Sequence, residues 1–406
     1  MKIVLLSLLY DREQEEYYKK IVKSMLSNAS NTFQYALLDG FYQNVVIDNV
    51  YLINALPVGV YKEDIDQLFF KESDFYYNGK VIGKNLKYIN YHIIKQHTRY
   101  KSAYKELVKY AKKYSNEEIK VLLYNVYKPF LKAGVKAMKH CKNIKLYPVI
   151  TDMPGEYGIL PQEAWKRWYS LYSGKQIFKY LRNVDKFVFL TRQMQEPLHV
   201  SDDKFIIMEG IYSSIDKNNN NHSIIPHDKK AVLYTGSLNV NYGILTLLEG
   251  FKQVARDDVE LWICGGSGHE NEVRKVAEND SRIKFFGNVS REKAIVMQRS
   301  ADLLVNPRPN EGEFVKYSFP SKTMEYLSSG KPVLMHKLAG IPDEYDEYLN
   351  YISANTPEAM CEAIEDILYS RYDECMERAR RGKEFILNEK NAKKQTQRIL
   401  EFLKED

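Results

Sequence analysis

Segment 306–333 gathers residue types that can hold a phosphorylated ligand. Arg308 and Lys322 supply two cations, and Ser321 and Lys322 stand at the start of a helix expected over 321–329. The free amides and dipole of a helix N-terminus favour an anion there. Glu325 falls three residues after Lys322, on the same helical face. A carboxylate one turn beyond a phosphate site is placed to accept hydrogen bonds from both hydroxyls of a ribose. Pro320 opens this helix, and Gly330 with Pro332 closes it, after a strand expected over 303–306. Two cations and a helix N-terminus together can stabilise charge developing on a departing diphosphate. Glu311 and Glu313, in the loop between strand and helix, are candidates for a sugar contact; plain solvation of the loop is the alternative.

A second set of candidates lies at other strand ends. The strand expected over 231–234 runs into Thr235, Gly236 and Ser237, where a residue without Cβ lets a ligand approach the backbone. Gly243 opens the next helix. The run from Cys264 to Gly268 imitates a dinucleotide fingerprint but has Asn271 where a third small residue belongs, so a tight strand-to-helix turn is expected and a nicotinamide enzyme is disfavoured. In the first half, a strand over 145–150 ends in Asp152 and Glu156, the best acceptor-side carboxylates; the plainer reading of Asp152 is an Asx turn before Pro154. His92, His97, His140 and His199 show no partner spacing. The four cysteines have no metal-ligand or disulfide pattern, so no metal is expected and a reducing cytosol fits.

The elements needed to hold these residues are legible as an alternation. Short apolar runs at 3–9, 45–47, 120–123, 145–150 and 186–190 alternate with amphipathic segments such as 17–26 and 129–140. A second series follows, with strands at 231–234, 260–264, 283–286, 303–306 and 333–335 and helices at 244–254, 270–277, 291–299, 321–329 and 357–369. Such alternation predicts an α/β protein of two Rossmann-like domains on parallel sheets, facing a central cleft. With 406 residues, 44% hydrophobic, the chain has length and apolar content for two cores. The polar stretch 216–230 marks the boundary, giving expected domains of 1–204 for the acceptor and 205–387 for the nucleotide, with a final helix in 388–406 packing back on the first. No apolar run is long enough to span a bilayer, and the N-terminal run reads as a strand rather than a signal peptide.

Charge is divided unevenly. Residues 1–200 carry 31 Lys/Arg against 19 Asp/Glu, a net +12, whereas the remainder is −6. The stretch 84–113 alone holds nine basic residues and one acid, interleaved with tyrosines. It suits an anionic membrane surface or a diphosphate-linked substrate, with a solvated helix pair as the alternative. No nucleic-acid-binding motif accompanies it.

The sequence Ser318-Phe319-Pro320-Ser321-Lys322-x-x-Glu325-Tyr326, together with the Thr235-Gly236-Ser237 turn, Gly287-Asn288-Val289 and the run from Glu325 to Val333, resembles the nucleotide-sugar signature of GT-B glycosyltransferases. The resemblance is to family 4, or group 1, and within it to a bacterial capsular or exopolysaccharide subgroup. It implies a cytoplasmic enzyme, free or peripheral on the inner face of the membrane, that moves a sugar, with retention, from a nucleoside diphosphate to a saccharide or lipid-linked acceptor, without metal or cofactor. It implies that Glu325 holds the donor ribose; read with it, Gly236, Ser237, Ser321, Lys322, Glu313 and Tyr317 are the further donor-binding candidates, and Lys322, Arg308 and Asp152 are the candidates for catalysis. Two features depart from the family. Tyr317 stands where the first glutamate of a Glu-x7-Glu pair belongs, and Asn239, Asn241 and Tyr242 fill a stretch where relatives carry cations. The alternatives these leave are a silent saccharide-binding partner, or an epimerase or phosphorylase of the same architecture.

Overall fold

The computed structural model describes residues 1–23, 28–45, 49–157, 163–213 and 224–405. The chain divides into two units, Met1–Ser213 with Ala392–Asp406, and Ser214–Asn391.

The first unit is built on strands β1 (Lys2–Ser7), β2 (Val50–Asn54), β3 (Phe69–Phe70), β4 (Ser73–Tyr77), β5 (Lys80–Asn85), β6 (Tyr88–Ile89), β7 (Ile119–Tyr124), β8 (Ile144–Ile150), β9 (Phe187–Phe189) and β10 (Phe205–Ile207). Eight of them form one sheet in the order β10-β9-β8-β7-β1-β2-β5-β4. All pairs are parallel except β4 on β5. Every residue of β1 is buried, as expected of a parallel strand covered on both faces. The helices are α1 (Glu15–Ile21), α2 (Asn28–Asn44), α3 (His92–Lys113), α4 (Lys128–His140), α5 (Ala164–Leu181) and α6 (Gln195–Leu198). Several local readings change here. Of the strand expected at 45–47, Val45 is a bend just after α2 and residues 46–48 lie outside those described; the next strand is placed at 50–54. Expected helix 17–26 is the shorter α1, because Val22 turns extended and bridges Ile65; 24–27 also lie outside. The β4–β5 hairpin turns at Asn78 and Gly79, both at positive φ, a dipeptide suited to a type I′ turn. The basic stretch 84–113 is one helix preceded by strands, not a helix pair. Lys95 and Arg99 are buried in it, and Lys84 pairs with Asp74 at 2.9 Å.

In the second unit six parallel strands, β11 (Lys230–Thr235), β12 (Val259–Cys264), β13 (Ile283–Gly287), β14 (Leu303–Asn306), β15 (Val333–Met335) and β16 (Asn350–Tyr351), lie in the order β13-β12-β11-β14-β15-β16. Helices α7 (Ile244–Gln253), α8 (Glu270–Asn279), α9 (Arg291–Ser300), α10 (Ser321–Ser329), α11 (Pro357–Glu365) and α12 (Tyr372–Glu389) connect and follow them. Sequence order reverses between β11 and β14, and in such sheets ligands bind outside the carboxyl ends of the strands at that reversal. The core beneath joins Val232, Leu261, Leu303 and Leu334 to Leu247, Phe251, Met360 and Ile364.

The last helix, α13 (Ala392–Lys404), belongs to the first unit. It packs on α2, where Gly40 leaves room: a Cβ there would sit 2.2 Å from the Ala392 carbonyl. Ile399, Leu400 and Leu403 join the core with Ile3, Leu38 and Leu122, and Lys120 Nζ donates to the Leu403 carbonyl at 2.7 Å. The domain limits differ from expectation at both ends. β10 pairs with β9, which carries residues 205–213 into the first unit, and α12 runs on to Glu389. Of the expected boundary stretch 216–230, residues 216–223 lie outside those described.

Candidate functional site

The carboxyl ends of β11 and β12 meet as two glycine turns. The Gly236 amide donates to the Cys264 carbonyl at 2.9 Å, and Gly265 approaches so closely that a Cβ on it would lie 1.7 Å from the Gly236 oxygen. Gly265 also holds φ +144, in the region that side-chain-bearing residues avoid. The run from Cys264 to Gly268 is therefore a tight strand-to-helix turn, as the sequence implied. Ser237 is held from both sides, its carbonyl accepting from Tyr234 Oη at 2.6 Å and its Oγ donating to the Ser267 carbonyl at 3.2 Å.

Helix α10 begins beside this turn. A Cβ on Gly236 would meet Lys322 Cε at 3.1 Å, so the lysine stem lies against the glycine face. Burial pushes the Lys322 ammonium below the usual lysine range, while Glu325 and the Cys264 side chain oppose that shift. Ser321 is exposed at the first helical position, after Pro320 in extended conformation.

Beneath Lys322 a polar network fixes Glu325. Gln298, on α9, donates from Nε2 to Glu325 Oε1 and, at 3.3 Å, contacts Thr235 Oγ1. Tyr326 receives the Thr235 amide at 2.9 Å and lies 3.2 Å from the Thr235 carbonyl, tying α10 to the end of β11. Gln298, Thr235 and Tyr326 are buried, where an unmet polar group is costly, so the network holds a single arrangement. Neither Gln298 nor Tyr326 is evident from spacing alone. The signal that could have found them is a glutamine and a tyrosine at core-facing helix positions.

At the end of β14, Arg308 is 9% exposed. Its Nη2 donates to Ser318 Oγ at 2.9 Å, its guanidinium lies 5.3 Å from the Phe314 ring and 5.7 Å from that of Tyr242, and its Nε is buried with no partner. Burial works against its charge. Among the described residues neither Arg308 nor Lys322 has a carboxylate within 4.0 Å, whereas other cations of this unit, such as Lys252, Arg282, Lys316, Lys337 and Arg380, do. A buried, unneutralised cation is expensive and is commonly kept for an anion that arrives from outside. His336, directly after β15, is a further buried group with an unpartnered Nε2 and a pKa lowered by burial; the sequence reading passed over it.

The other candidates are placed less centrally. Glu313 is exposed, pairs with Lys316 at 3.2 Å and accepts from Tyr317 Oη at 3.1 Å; those partners hold its carboxyl below the usual range. Tyr317 itself is buried. Its hydroxyl, at the position where the resemblance led one to expect a glutamate, is engaged by Glu313. Glu311 accepts from Asn355 at 2.7 Å. In the first unit Asp152 is exposed at the end of β8 and accepts from Asn125 Nδ2 at 3.1 Å and Thr151 Oγ1 at 3.0 Å. Asn125 directly follows β7, one side of that sheet's own reversal between β7 and β1. Asp152 is thus oriented by side chains rather than closing an Asx turn. Glu156 lies on the next turn, and its side chain is outside the described residues.

Residues 229–370 match the family model described as Glycosyl transferases group 1, so the second unit carries a glycosyltransferase domain. No curated protein matches the chain in sequence. Among solved structures it is similar over its whole length to sucrose-phosphate synthase from Thermosynechococcus elongatus, at 15% identity, TM-score 0.66 and 99% coverage of that chain. It is likewise similar to Anabaena HepE in complex with UDP, at 12% identity, TM-score 0.62 and full coverage of both chains. A third is an E. coli trehalose-6-phosphate protein bound with UDP-2-fluoro glucose, at 9% identity and TM-score 0.64, covering 100% of this chain and 99% of that one. The shared fold is GT-B. Among the described residues no helix is long and apolar enough to cross a membrane.

Proposed function

We propose that this GT-B glycosyltransferase moves a sugar from a nucleoside diphosphate, held by the second unit, to a saccharide or lipid-linked acceptor met by the first. The observation that carries the reading is the pair Lys322 and Arg308, two cations without carboxylate partners at the strand reversal, one of them against the glycine turn. The diphosphate takes their charge, with the first amides of α10 adding theirs. Glu325, pre-set by Gln298, accepts from the ribose hydroxyls. Uridine diphosphate is the first nucleotide to try, because HepE and the trehalose-6-phosphate protein were solved with UDP or its sugars.

Transfer forms a bond from the anomeric carbon to the acceptor oxygen and breaks the one to the diphosphate. Retention follows if the departing phosphate oxygen takes the acceptor proton on the same face, with Asp152 positioning the hydroxyl. If the product is inverted, Asp152 is the base that takes that proton. The counter-charge comes from side chains and amides, so the reading includes no metal or cofactor, and chelation should leave the rate unchanged. As a finer reading, the resemblance places the enzyme in the family-4 subgroup that builds capsular or exopolysaccharide units, at the cytoplasmic face of a membrane.

A thermal-shift series with nucleoside diphosphates, followed by donor hydrolysis without acceptor, tests this. Stabilisation by one diphosphate and slow hydrolysis of its sugar support it. Tyr317 and its engaged hydroxyl favour one rival, a silent saccharide-binding partner, which would bind without hydrolysing. An epimerase would release a changed free sugar nucleotide, and a phosphorylase would need inorganic phosphate.

A further inference from the structure

Helix α5 presents a row of large aromatic side chains to solvent. Trp165 is 69% exposed, Trp168 66%, Tyr169 45% and Tyr172 47%. Their spacing of three, four and seven residues puts them on one helical face. Soluble proteins seldom leave so much indole and phenol uncovered in one patch. The opposite face is engaged: Gly174, Ile177 and Leu181 are buried, and Gly155 of the Asp152 loop packs on Gly174.

The charge around this row has one sign. Helices α3, α4 and α5, each packed on the next, carry fifteen Lys/Arg and a single acid, Glu106. Lys95 and Arg99 are internal, but Lys101, Lys105, Lys109, Lys136, Lys139, Lys166, Arg167 and Lys175 are exposed. Lysine and aromatic side chains touch along the face, with Lys128 Nζ 5.7 Å from the Tyr172 ring and Lys132 Nζ 4.5 Å from that of Tyr100. Trp and Tyr with Lys and Arg are the residues that settle at the headgroup level of a bilayer, where the rings are half in hydrocarbon and the cations meet lipid phosphate.

We propose that α5 is a membrane-docking helix, its Trp165, Trp168, Tyr169 and Tyr172 face entering the headgroup layer of an anionic bilayer while α3 and α4 add long-range attraction. The basic stretch 84–113 was the sequence's candidate for this contact; the aromatic face of α5 is what the fold adds. Because the Asp152 loop packs on α5, docking brings the acceptor loop to the bilayer, and this inference rests on the reading of a lipid-linked acceptor.

Two of the three tryptophans lie on this face and the third, Trp262, is buried, so tryptophan emission reports on α5. The full chain is titrated with phosphatidylcholine vesicles, with and without phosphatidylglycerol, and with lipids brominated high on the acyl chain. The expected result is a blue shift and quenching with the anionic vesicles, weakened by salt. Trp168→Ser/Tyr172→Ser should lower vesicle affinity about tenfold or more without changing the melting temperature or nucleoside diphosphate binding. Lys101→Gln/Lys105→Gln/Lys109→Gln should lower the affinity and keep the blue shift of what still binds. Full-strength binding by the aromatic variant, no response to either vesicle, or the same blue shift with soluble oligosaccharide alone would each overturn the proposal. Nucleotide binding is read in the same samples: its loss with vesicle docking intact sinks the donor-site reading alone, and the converse sinks docking alone.

Discussion

At the scale of single residues, the candidate site of the second unit combines two cations without carboxylate partners and a carboxylate held in place. Glu325 is engaged by Gln298 through one oxygen, which leaves the other for a ligand. Glu325→Gln should weaken nucleoside diphosphate binding by about 1–3 kcal/mol, the worth of hydrogen bonds to a charged group; titration calorimetry that finds unchanged affinity in a folded variant would remove Glu325 from the site. Lys322 adds a pH signature. Its pKa is pushed down by burial, so it gives up its proton at a lower pH than an ordinary lysine. Transfer should therefore fall on the alkaline side before pH reaches the usual lysine range, and Lys322→Arg, always charged, should move that limb upward while keeping part of the rate. Lys322→Ala should cut the rate far more than it lowers the melting temperature; equal losses would mean a structural role.

At the scale of elements, α3 carries a different kind of lysine. Lys95 is 6% exposed and donates to the carbonyls of Val58 and Gly59. Burial first, and then the neighbouring Arg99, push its pKa down to about 7, with Asp64 opposing. The unfolded chain then binds this proton more tightly than the folded one, so the folded state is penalised at and below about pH 7 and gains stability as pH rises toward the unfolded lysine value. Wild type should gain melting temperature between about pH 7 and 9 relative to Lys95→Met, and parallel curves would refute the assignment. Tyrosines such as Tyr51 and Tyr77, whose pKa values are raised by burial, reverse the trend at higher pH, because the unfolded chain loses those protons first.

At the scale of the whole molecule, chain order and spatial division do not coincide: the first unit is completed by α13, which follows the second unit in the sequence. Ile399, Leu400, Phe402 and Leu403 are each less than a tenth exposed, and burying such side chains stabilises by about 1.5–3 kcal/mol apiece. Together that rivals the about 5–15 kcal/mol that holds a typical domain folded. A chain ending at Asn391 should lose the cooperative melting of its first unit. Its second unit should still bind nucleoside diphosphate and transfer no sugar. Loss of nucleotide binding in a truncated chain whose second unit still melts cooperatively would mean that the first unit supplies donor contacts.

The sequence by itself determined whatever local chemistry encodes. Apolar runs and turn residues located β11 to β15 and α7 to α10 within a residue or two, because parallel strands buried on both faces and Gly- or Pro-bounded helices leave their marks in adjacent positions. Motif spacing brought Ser321, Lys322 and Glu325 onto one helical turn for the same reason. It failed where polar interruptions hide a helix, as in α2, and it passed over an Asn-Gly hairpin signal at 78–79. What only the tertiary structure decided is which distant side chains meet. Gln298 reaches Glu325 across 27 positions and Tyr326 grips Thr235 across 91, contacts that exist because β14 lies beside β11 while β12 lies on its other flank. The same holds for charge. Nine basic residues in one stretch look alike in the sequence, yet the pitch of α3 sends Lys95 and Arg99 inward and its neighbours out, and the uncovered aromatic face of α5 follows from which side of that helix the Asp152 loop occupies. Strand order and helix facing are set by the burial of the whole apolar surface at once, and no window of sequence contains that sum.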